Sequence, residues 1–192
     1  MNTMFDLQQY ALQKLKDTYT EHEIKVLCSL SFCKLLHYTN IDIHLKKHEF
    51  LAKSFIDKFV QIVEELKTDK PIQYILGETE FAGIDFQLNS ETLIPRPETE
   101  ELVMWIVESG VQPGASVLDI GTGSGCIIVS LGKLLKGVRL CGVDISPEAV
   151  RQAADNARKN GVEVKFEVRD ILCYEEWEWP GFDVIVSNPP YV

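Results

Sequence analysis

The sequence predicts a small all-α N-terminal domain followed by an α/β domain that is built on a parallel sheet. Residues 1–70 carry apolar side chains at helical spacing. Residues 98–192 alternate short apolar strands with helices, a pattern typical of parallel strands joined by right-handed crossovers. A glycine-rich turn, Gly121–Gly125, joins the first of these strands to a helix. A chain of 192 residues is long enough to bury the core of both domains.

Three helices are expected in the first 70 residues. The first carries its apolar face from Leu7 to Leu15, and the second, from Ile24 to Leu36, ends before Tyr38-Thr39-Asn40. The third should run from His48 to Leu66, where one wide apolar stripe precedes a polar run and Pro71. That stripe consists of Phe50, Leu51, Phe55, Ile56, Phe59, Val60, Val63 and Leu66.

Residues 71–97 are expected to form a linker between the two domains. Glu80–Leu88 has the pattern of a β-hairpin that turns at Gly83. The segment Leu93–Pro97 then leads into a helix over Glu98–Glu108, with proline and acids at its start. Arg96, between two prolines, could brace the glycine turn or the C-terminal segment.

Acidic side chains are expected where the strands of the second domain end. Asp119 lies just before the glycine turn, Asp144 follows the strand Val138–Val143, and Asp170 with Ile171 follows the strand Val162–Val168. The carboxyl edge of such a sheet is where nucleotide-like ligands bind, and a ribose diol could donate to Asp144. The spacing GxGxG differs from the dinucleotide fingerprint, and Asp119 favours a cofactor that carries an ammonium group.

The segment Asn188-Pro189-Pro190-Tyr191 follows the fourth predicted strand, Phe182–Ser187. The side-chain oxygen of Asn188 and the carbonyl of Pro189 are acceptors that could hold a planar NH2 group, because proline donates no competing N–H. Tyr191 offers a flat face for the same group. A strand followed by a plain proline turn is the simpler interpretation of this segment alone.

Composition favours a cytoplasmic protein. The sequence has no apolar run of membrane-spanning length and no signal-peptide pattern, and its cysteines lie mostly in apolar segments. The formal net charge of −10 argues against a broad nucleic-acid footprint. His44 and His48 have the spacing of a helical metal pair, but no third ligand completes it, so no metal site is expected.

The residues resemble one known family. Asp119–Gly125 together with Asn188–Tyr191 is similar to a Rossmann-like class I S-adenosylmethionine-dependent methyltransferase domain that modifies planar NH2 groups. The linker motifs Pro71–Gly77 and Leu93–Glu100 resemble those of the release factor glutamine methyltransferases, also called PrmC or HemK. The resemblance covers the whole chain, although the N-terminal helices match only in character.

The resemblance implies a reaction, a cofactor and a partner. Methyl would pass from S-adenosyl-L-methionine to the side-chain nitrogen of the glutamine in the Gly-Gly-Gln motif of peptide chain release factors. The chain would divide into a substrate-docking domain, 1–70, a linker, 71–97, and the N-terminal part of the methyltransferase domain, 98–192. The family continues past this last motif, so an incomplete sheet and a truncated chain are expected, and the activity of this polypeptide by itself stays open.

Each site residue receives a role from the same resemblance. Asn188, Pro189, Pro190 and Tyr191 would hold the glutamine, and Asn188 also borders the cofactor. The remaining cofactor residues would be Asp119, Gly121, Thr122, Gly123, Ser124, Gly125, Asp144, Asp170 and Ile171.

Four alternatives stay open at this point. A ribosomal-protein glutamine methyltransferase shares nearly every motif, and an adenine N6 DNA methyltransferase uses a similar tetrapeptide. A nicotinamide oxidoreductase would explain the glycine turn and Asp144 but gives Asn188–Tyr191 no role. A non-catalytic, partner-docking module would need only the helical domain.

Overall fold

The computed structural model describes residues 1–189, which divide into two compact units. The first unit is Met1–Leu76, and the second begins at Gly77. The hairpin that the sequence assigns to the linker therefore makes its contacts within the second unit. Each unit has its own cluster of buried apolar side chains.

The first unit is helical. Its helices are α1 (Met4–Leu15), α2 (Glu21–Leu36), α3 (Asn40–Leu45), α4 (Lys53–Leu66) and α5 (Ile72–Leu76). The first three begin with a capping box in which a threonine side chain and an acid three residues later satisfy free N–H groups. The core contains a cluster of phenylalanines, where the rings of Phe32 and Phe59 stack with centroids 5.0 Å apart.

The prediction of one helix from His48 to Leu66 is wrong at its start. Residues before Lys53 run beside the N-terminus instead, because Leu51 donates to the carbonyl of Asn2 at 2.8 Å and Thr3 forms a bridge with Phe50. Phe50 is consequently 84% exposed and lies outside the apolar stripe of α4. His48 is also outside any helix, so it does not share a helical face with His44.

Helix α3 was not predicted, although the sequence carries a signal for it. Thr39 and Asp42 have the spacing of a capping box, and each accepts the hydrogen bonds that this motif requires. The helix has six residues and buries none of them, so it lacks the buried apolar face by which the longer helices were recognised. The five-residue helix α5 was not predicted either.

The second unit begins with the predicted hairpin. Strands β1 (Glu78–Phe81) and β2 (Ile84–Gln87) pair antiparallel around a two-residue turn, Ala82-Gly83. Both turn residues have positive φ, 50° and 72°, which matches the right-handed twist of the flanking strands. The turn at Gly83 is therefore confirmed. Phe81 and Phe86 point into the core of the second unit.

The sheet of the second unit is parallel, as predicted. Strands β3 (Ser116–Ile120), β4 (Arg139–Asp144), β5 (Lys165–Val168) and β6 (Val184–Ser187) lie in the order β5-β4-β3-β6. This is the Rossmann-like order in which the chain reverses direction across the sheet between β3 and β6, the place where such sheets bind ligands. The connecting elements are α6 (Pro97–Glu108), α7 (Cys126–Leu134), α8 (Pro147–Lys159) and a 3-10 helix (Ile171–Glu176).

Residues 1–189 contain neither a membrane-spanning helix nor a metal-binding group of side chains. No helix there has the length and hydropathy needed to cross a bilayer. The same residues place no group of three or more histidine, cysteine, aspartate or glutamate side chains where they could hold a metal ion.

A buried asparagine on α8 connects the hairpin to the glycine turn. Asn156 is fully buried, and its side-chain oxygen accepts from the N–H of Gln87 at 2.8 Å. Its side-chain nitrogen donates to the carbonyls of Gln87 and Ser124, each at 2.9 Å. Asn156 thus fixes β2 and residue 124 of the turn to the same helix, and sequence analysis did not single it out.

Replacing Asn156 with alanine should destabilise the second unit by about 3 kcal/mol, because buried backbone groups on two segments lose their partners. Tryptophan fluorescence during denaturant unfolding measures this unit alone, since Trp105, Trp177 and Trp179 all lie beyond Gly77. Gln152→Ala is the matched control on α8, where one half-buried bond from Asn89 is lost and the cost should stay near 1 kcal/mol. Equal losses in the two variants would contradict the role given to Asn156.

Candidate functional site

The glycine turn is attached to the end of the neighbouring strand. The N–H groups of Gly121 and Thr122 both donate to the carbonyl of Val143, at 2.8 and 2.9 Å. The N–H of Gly125 donates to the carbonyl of Thr122 at 2.8 Å. Gly125 has a φ of 79°, and a Cβ there would lie 3.0 Å from the Cβ of Ala153. Glycine is therefore required at residue 125, where the start of α7 approaches α8.

The N–H groups of the turn are mostly used inside the protein. Four of them donate within the second unit, since Gly123 donates to Oδ2 of Asp144 at 2.9 Å in addition to the three bonds above. A loop that cradles phosphate needs such N–H groups free to face the anion. In this turn the N–H groups of residues 121, 122, 123 and 125 are therefore occupied, and one of them is bound by the carboxylate of Asp144.

Asp119 is the most buried acid of the site. It is 1% exposed, and its Oδ2 accepts from the hydroxyl of Thr122 at 2.7 Å. The other oxygen, Oδ1, and the hydroxyl of Ser124 are buried without a hydrogen-bond partner of normal geometry among the described residues. Both atoms lie next to the glycine turn and are closed to solvent.

Burial raises the pKa of Asp119 to about 7. The hydroxyl of Thr122 and the backbone N–H of Ile128, in the first turn of α7, act in the opposite direction and stabilise the carboxylate. The negative charge of Asp144 raises the pKa further. A cation bound beside Asp119 would favour its ionised form, whereas an anion would favour the neutral form.

Asp144 is the last residue of β4, and Asp170 lies just after the end of β5, at the same edge of the sheet. Asp144 accepts from Gly123 through Oδ2 and from the N–H of Ser146 through Oδ1, at 3.0 Å. Asp170 accepts from the N–H of Leu172 at 2.9 Å and so caps the 3-10 helix that begins at Ile171. Each carboxylate oxygen retains a second lone pair, so these structural bonds leave both acids able to accept from a ligand.

Asn188 lies level with the beginning of the glycine turn. Ile120 and Ser187 are partners in the β3-β6 ladder, and the hydroxyl of Ser187 donates to the carbonyl of Ile120 at 2.8 Å. The next residues along the two strands are Gly121 and Asn188. The side-chain nitrogen of Asn188 donates to Oγ1 of Thr99 on α6, at 2.8 Å.

A small cavity of about 50 Å³ lies between these segments. It is lined by the glycine turn, by Asn188, by Thr99 and by the segment before α6, which includes Arg96. The structure therefore brings Gly121, Thr122, Gly123 and Ser124 together with Asn188. Asp119 adjoins the turn through Thr122, whereas Asp170 and Ile171 lie further along the same sheet edge.

Part of the predicted substrate segment cannot be placed. Pro189 is described and exposed, whereas Pro190 and Tyr191 lie outside the described residues. Sequence analysis also passed over Thr99, which contacts Asn188 from a helix 89 residues earlier in the chain. Because Thr99 and Asn188 are 89 residues apart in the sequence, no local pattern could have linked them.

Comparison with known proteins gives two family matches. Residues 112–191 match a family described as a methyltransferase domain. Residues 6–77 match the PrmC N-terminal domain.

Full-length relatives share most of the chain. The release factor glutamine methyltransferases of Flavobacterium psychrophilum and Bacteroides thetaiotaomicron are each 40% identical to it, over 94% and 95% of its length. The chain spans 65% and 66% of those two relatives. The enzyme of the same name from Bacillus subtilis is 35% identical over 100% of the chain, which covers 67% of that relative.

The stability of the second unit should fall as pH rises through the pKa of Asp119. The folded-state pKa, about 7, exceeds the ordinary aspartate pKa of 3.8, so folding binds a proton between these two values, and this proton is lost as the pH rises above the folded-state pKa. From about pH 5 to about pH 8 this group should lower the free energy of unfolding by roughly 3 kcal/mol. Asp119→Asn keeps the shape of the neutral acid.

We therefore expect the unfolding free energy of wild type, relative to that of Asp119→Asn, to fall by roughly 3 kcal/mol between about pH 5 and about pH 8. Tryptophan-detected unfolding at the two pH values measures it. Asp155→Asn, on an exposed acid of α8 paired with Arg158, is the control and should leave the pH profile unchanged. A parallel pair of profiles for wild type and Asp119→Asn would exclude a buried, proton-binding carboxyl at residue 119.

Proposed function

Since the chain belongs to the release factor glutamine methyltransferase family, we propose that the whole protein methylates a glutamine side chain of peptide chain release factors. The methyl donor in this proposal is S-adenosyl-L-methionine. The acceptor is the amide nitrogen of the glutamine in the Gly-Gly-Gln motif. The observation that carries the proposal is the position of Asn188, which shares one cavity with the glycine turn.

The residues of the turn fit this cofactor better than a dinucleotide. S-adenosyl-L-methionine carries an ammonium and a sulfonium charge and has no phosphate. Asp119 and Asp144 lie near the carboxyl ends of β3 and β4, and Asp170 follows β5, so the local charge at this sheet edge favours a cation. Because the N–H groups of the turn are largely occupied, a pyrophosphate would find few donors. This combination disfavours the nicotinamide oxidoreductase.

We assign the cofactor contacts accordingly. Gly121–Gly125, including Thr122 and Ser124, would surround the methionine portion, and the negative charge of Asp119 behind the turn would attract its ammonium group. Asp144 would accept from the ribose hydroxyls. Asp170 would accept from the exocyclic amine of adenine, and Ile171 would cover the ring.

Asn188 and Pro189 would orient the substrate nitrogen. The lone pair of an amide NH2 is delocalised into its carbonyl, so the nitrogen is a poor nucleophile until its protons are held and its lone pair is turned out of plane. Oδ1 of Asn188 and the carbonyl of Pro189 would accept these two protons. When bound, the cofactor supplies an electrophilic methyl on sulfur. Positioning of two reactants can lower a barrier by about 7 to 11 kcal/mol.

The residues that follow would complete the pocket. Pro190 contributes a ring and no competing donor, and Tyr191 would place an aromatic face against the planar amide. Both assignments come from the sequence motif alone. No dedicated base is needed, because the nitrogen proton becomes acidic once the methyl has been transferred.

The helical part of the chain supports a release factor as the substrate. In our proposal residues 1–70 dock the substrate, 71–97 form the linker and 98–192 provide the N-terminal part of the methyltransferase domain. The match of residues 6–77 to the PrmC N-terminal domain favours this over the ribosomal-protein enzyme, which differs mainly in that region. The net charge of −10 disfavours DNA as the substrate. Because release factors act in the cytoplasm, we infer that the protein acts there too, without a metal, membrane or nucleic-acid partner.

The substrate is tested by mass spectrometry. The whole protein is incubated with labelled cofactor and, in separate reactions, with release factors, with ribosomal proteins and with DNA. We expect label on the glutamine of the Gly-Gly-Gln motif and on no ribosomal protein. Label on ribosomal proteins or on adenine in DNA would replace the proposed substrate, and absence of label from every acceptor would support a docking module without activity.

Replacing Asn188 with alanine in the whole protein should lower kcat by about 100-fold to 1,000-fold, a loss of about 2.7 to 4 kcal/mol, as for removal of one preorganised hydrogen-bonding group. Initial rates on the release factor substrate measure the effect. Asn160→Ala provides the same change at the end of α8, where the side chain bonds two carbonyls away from the cavity, and should leave kcat unchanged. Turnover near wild type for Asn188→Ala would refute the role of Asn188.

A further inference from the structure

We propose that Thr99 is a positioning residue that holds the side-chain amide of Asn188 with its oxygen available to the substrate. The inference rests on the proposed function, because it concerns how the same site orients the glutamine. It starts from one contact, the 2.8 Å hydrogen bond from Nδ2 of Asn188 to Oγ1 of Thr99. Thr99 itself touches no reacting atom in this proposal.

The two ends of the asparagine amide have opposite chemistry. Oδ1 is an acceptor, whereas Nδ2 carries two donors, and they exchange places when the amide rotates by half a turn. A substrate NH2 group can be held only by an acceptor, since two NH2 groups facing each other leave every N–H unpaired. The site is therefore productive in one of two amide orientations of nearly identical shape.

Thr99 contacts the nitrogen end and leaves the oxygen end free. Within residues 1–189, Oδ1 of Asn188 accepts no hydrogen bond, while Nδ2 is bound to Thr99. Because oxygen and nitrogen project from opposite sides of the amide carbon, fixing Nδ2 against α6 directs Oδ1 away from α6. Asn188 and Thr99 line the same cavity as the glycine turn, so this rotation occurs beside the proposed reaction site.

Thr99 is itself well fixed, so it can serve as a reference point for the amide. Thr99 is 5% exposed and lies in the first turn of α6. Its backbone N–H donates to the carbonyl of Arg96 at 2.9 Å. Asn188, in contrast, lies beyond the end of β6 and is only half-buried, so its side chain depends on an external contact for its orientation.

The test compares Thr99→Val with Thr99→Ser in the whole protein. Valine keeps the shape and removes the acceptor, and serine keeps the hydroxyl. We expect kcat to fall about tenfold in Thr99→Val, which corresponds to loss of about one net hydrogen bond, with the KM for release factor and cofactor affinity unchanged. Thr99→Ser should retain kcat within about twofold. Thr92→Val removes a buried hydroxyl outside the cavity and should leave kcat unchanged.

A spectroscopic measurement separates this inference from the proposed function. The side-chain NH2 resonance of Asn188, assigned by its loss in Asn188→Ala, should exchange slowly with solvent in wild type and in Thr99→Ser. It should exchange rapidly in Thr99→Val. This result stands whether or not the protein methylates release factors, so an inactive wild type would count against the proposed function alone.

Several outcomes would overturn the inference. Unchanged kcat in Thr99→Val, an equal loss in Thr99→Ser, or an effect on KM alone would each show that Thr99 does not orient Asn188. Rapid exchange of the Asn188 amide in wild type would show the same. A loss of folding stability without a change in kcat would reduce Thr99 to a structural residue.

Discussion

The site depends on how the glycine turn is attached to the end of β4. The carbonyl of Val143 accepts from Gly121 and Thr122, and the carboxylate of Asp144 accepts from Gly123. These bonds fix the turn, and they also use the N–H groups that a phosphate would need. With Asp119 buried behind the turn, the edge of the sheet presents oxygens rather than donors. A glycine motif that could be mistaken for a dinucleotide site is in this way suited to a cationic ligand.

The second half of the site follows from the pairing of β3 with β6. The ladder pairs Ile120 with Ser187, so the first residue of the glycine turn and Asn188 leave the sheet at the same level. Strand pairing therefore brings the glycine turn and Asn188 to the same level of the sheet without any contact between their side chains. Two polar side chains from helices then refine the arrangement. Asn156 fixes the turn to the hairpin, and Thr99 contacts the amide of Asn188.

Local patterns in the sequence were sufficient for the hairpin and the parallel sheet, but not for the short helices α3 and α5 or for the start of α4. The Gly83 turn, the alternation that gives a parallel sheet and the acids at strand ends all depend on neighbouring residues, and their positions could be predicted. Contacts between distant segments could not. Phe50 belongs by periodicity to a helix, yet pairing with Thr3 keeps it extended and exposed. Thr99 and Asn156 act through residues 89 and 69 positions away, so neither could be recognised from spacing.

Calorimetric titration of the whole protein with S-adenosyl-L-methionine and, separately, with NAD tests the central claim most directly. The two ligands share an adenosine group and differ in the charge that would face the glycine turn. We expect saturable binding of S-adenosyl-L-methionine and no detectable binding of NAD, because acidic side chains lie at this edge of the sheet and the backbone donors of the turn are occupied. Binding of NAD in preference to S-adenosyl-L-methionine would show that the turn is an anion site and would contradict the account.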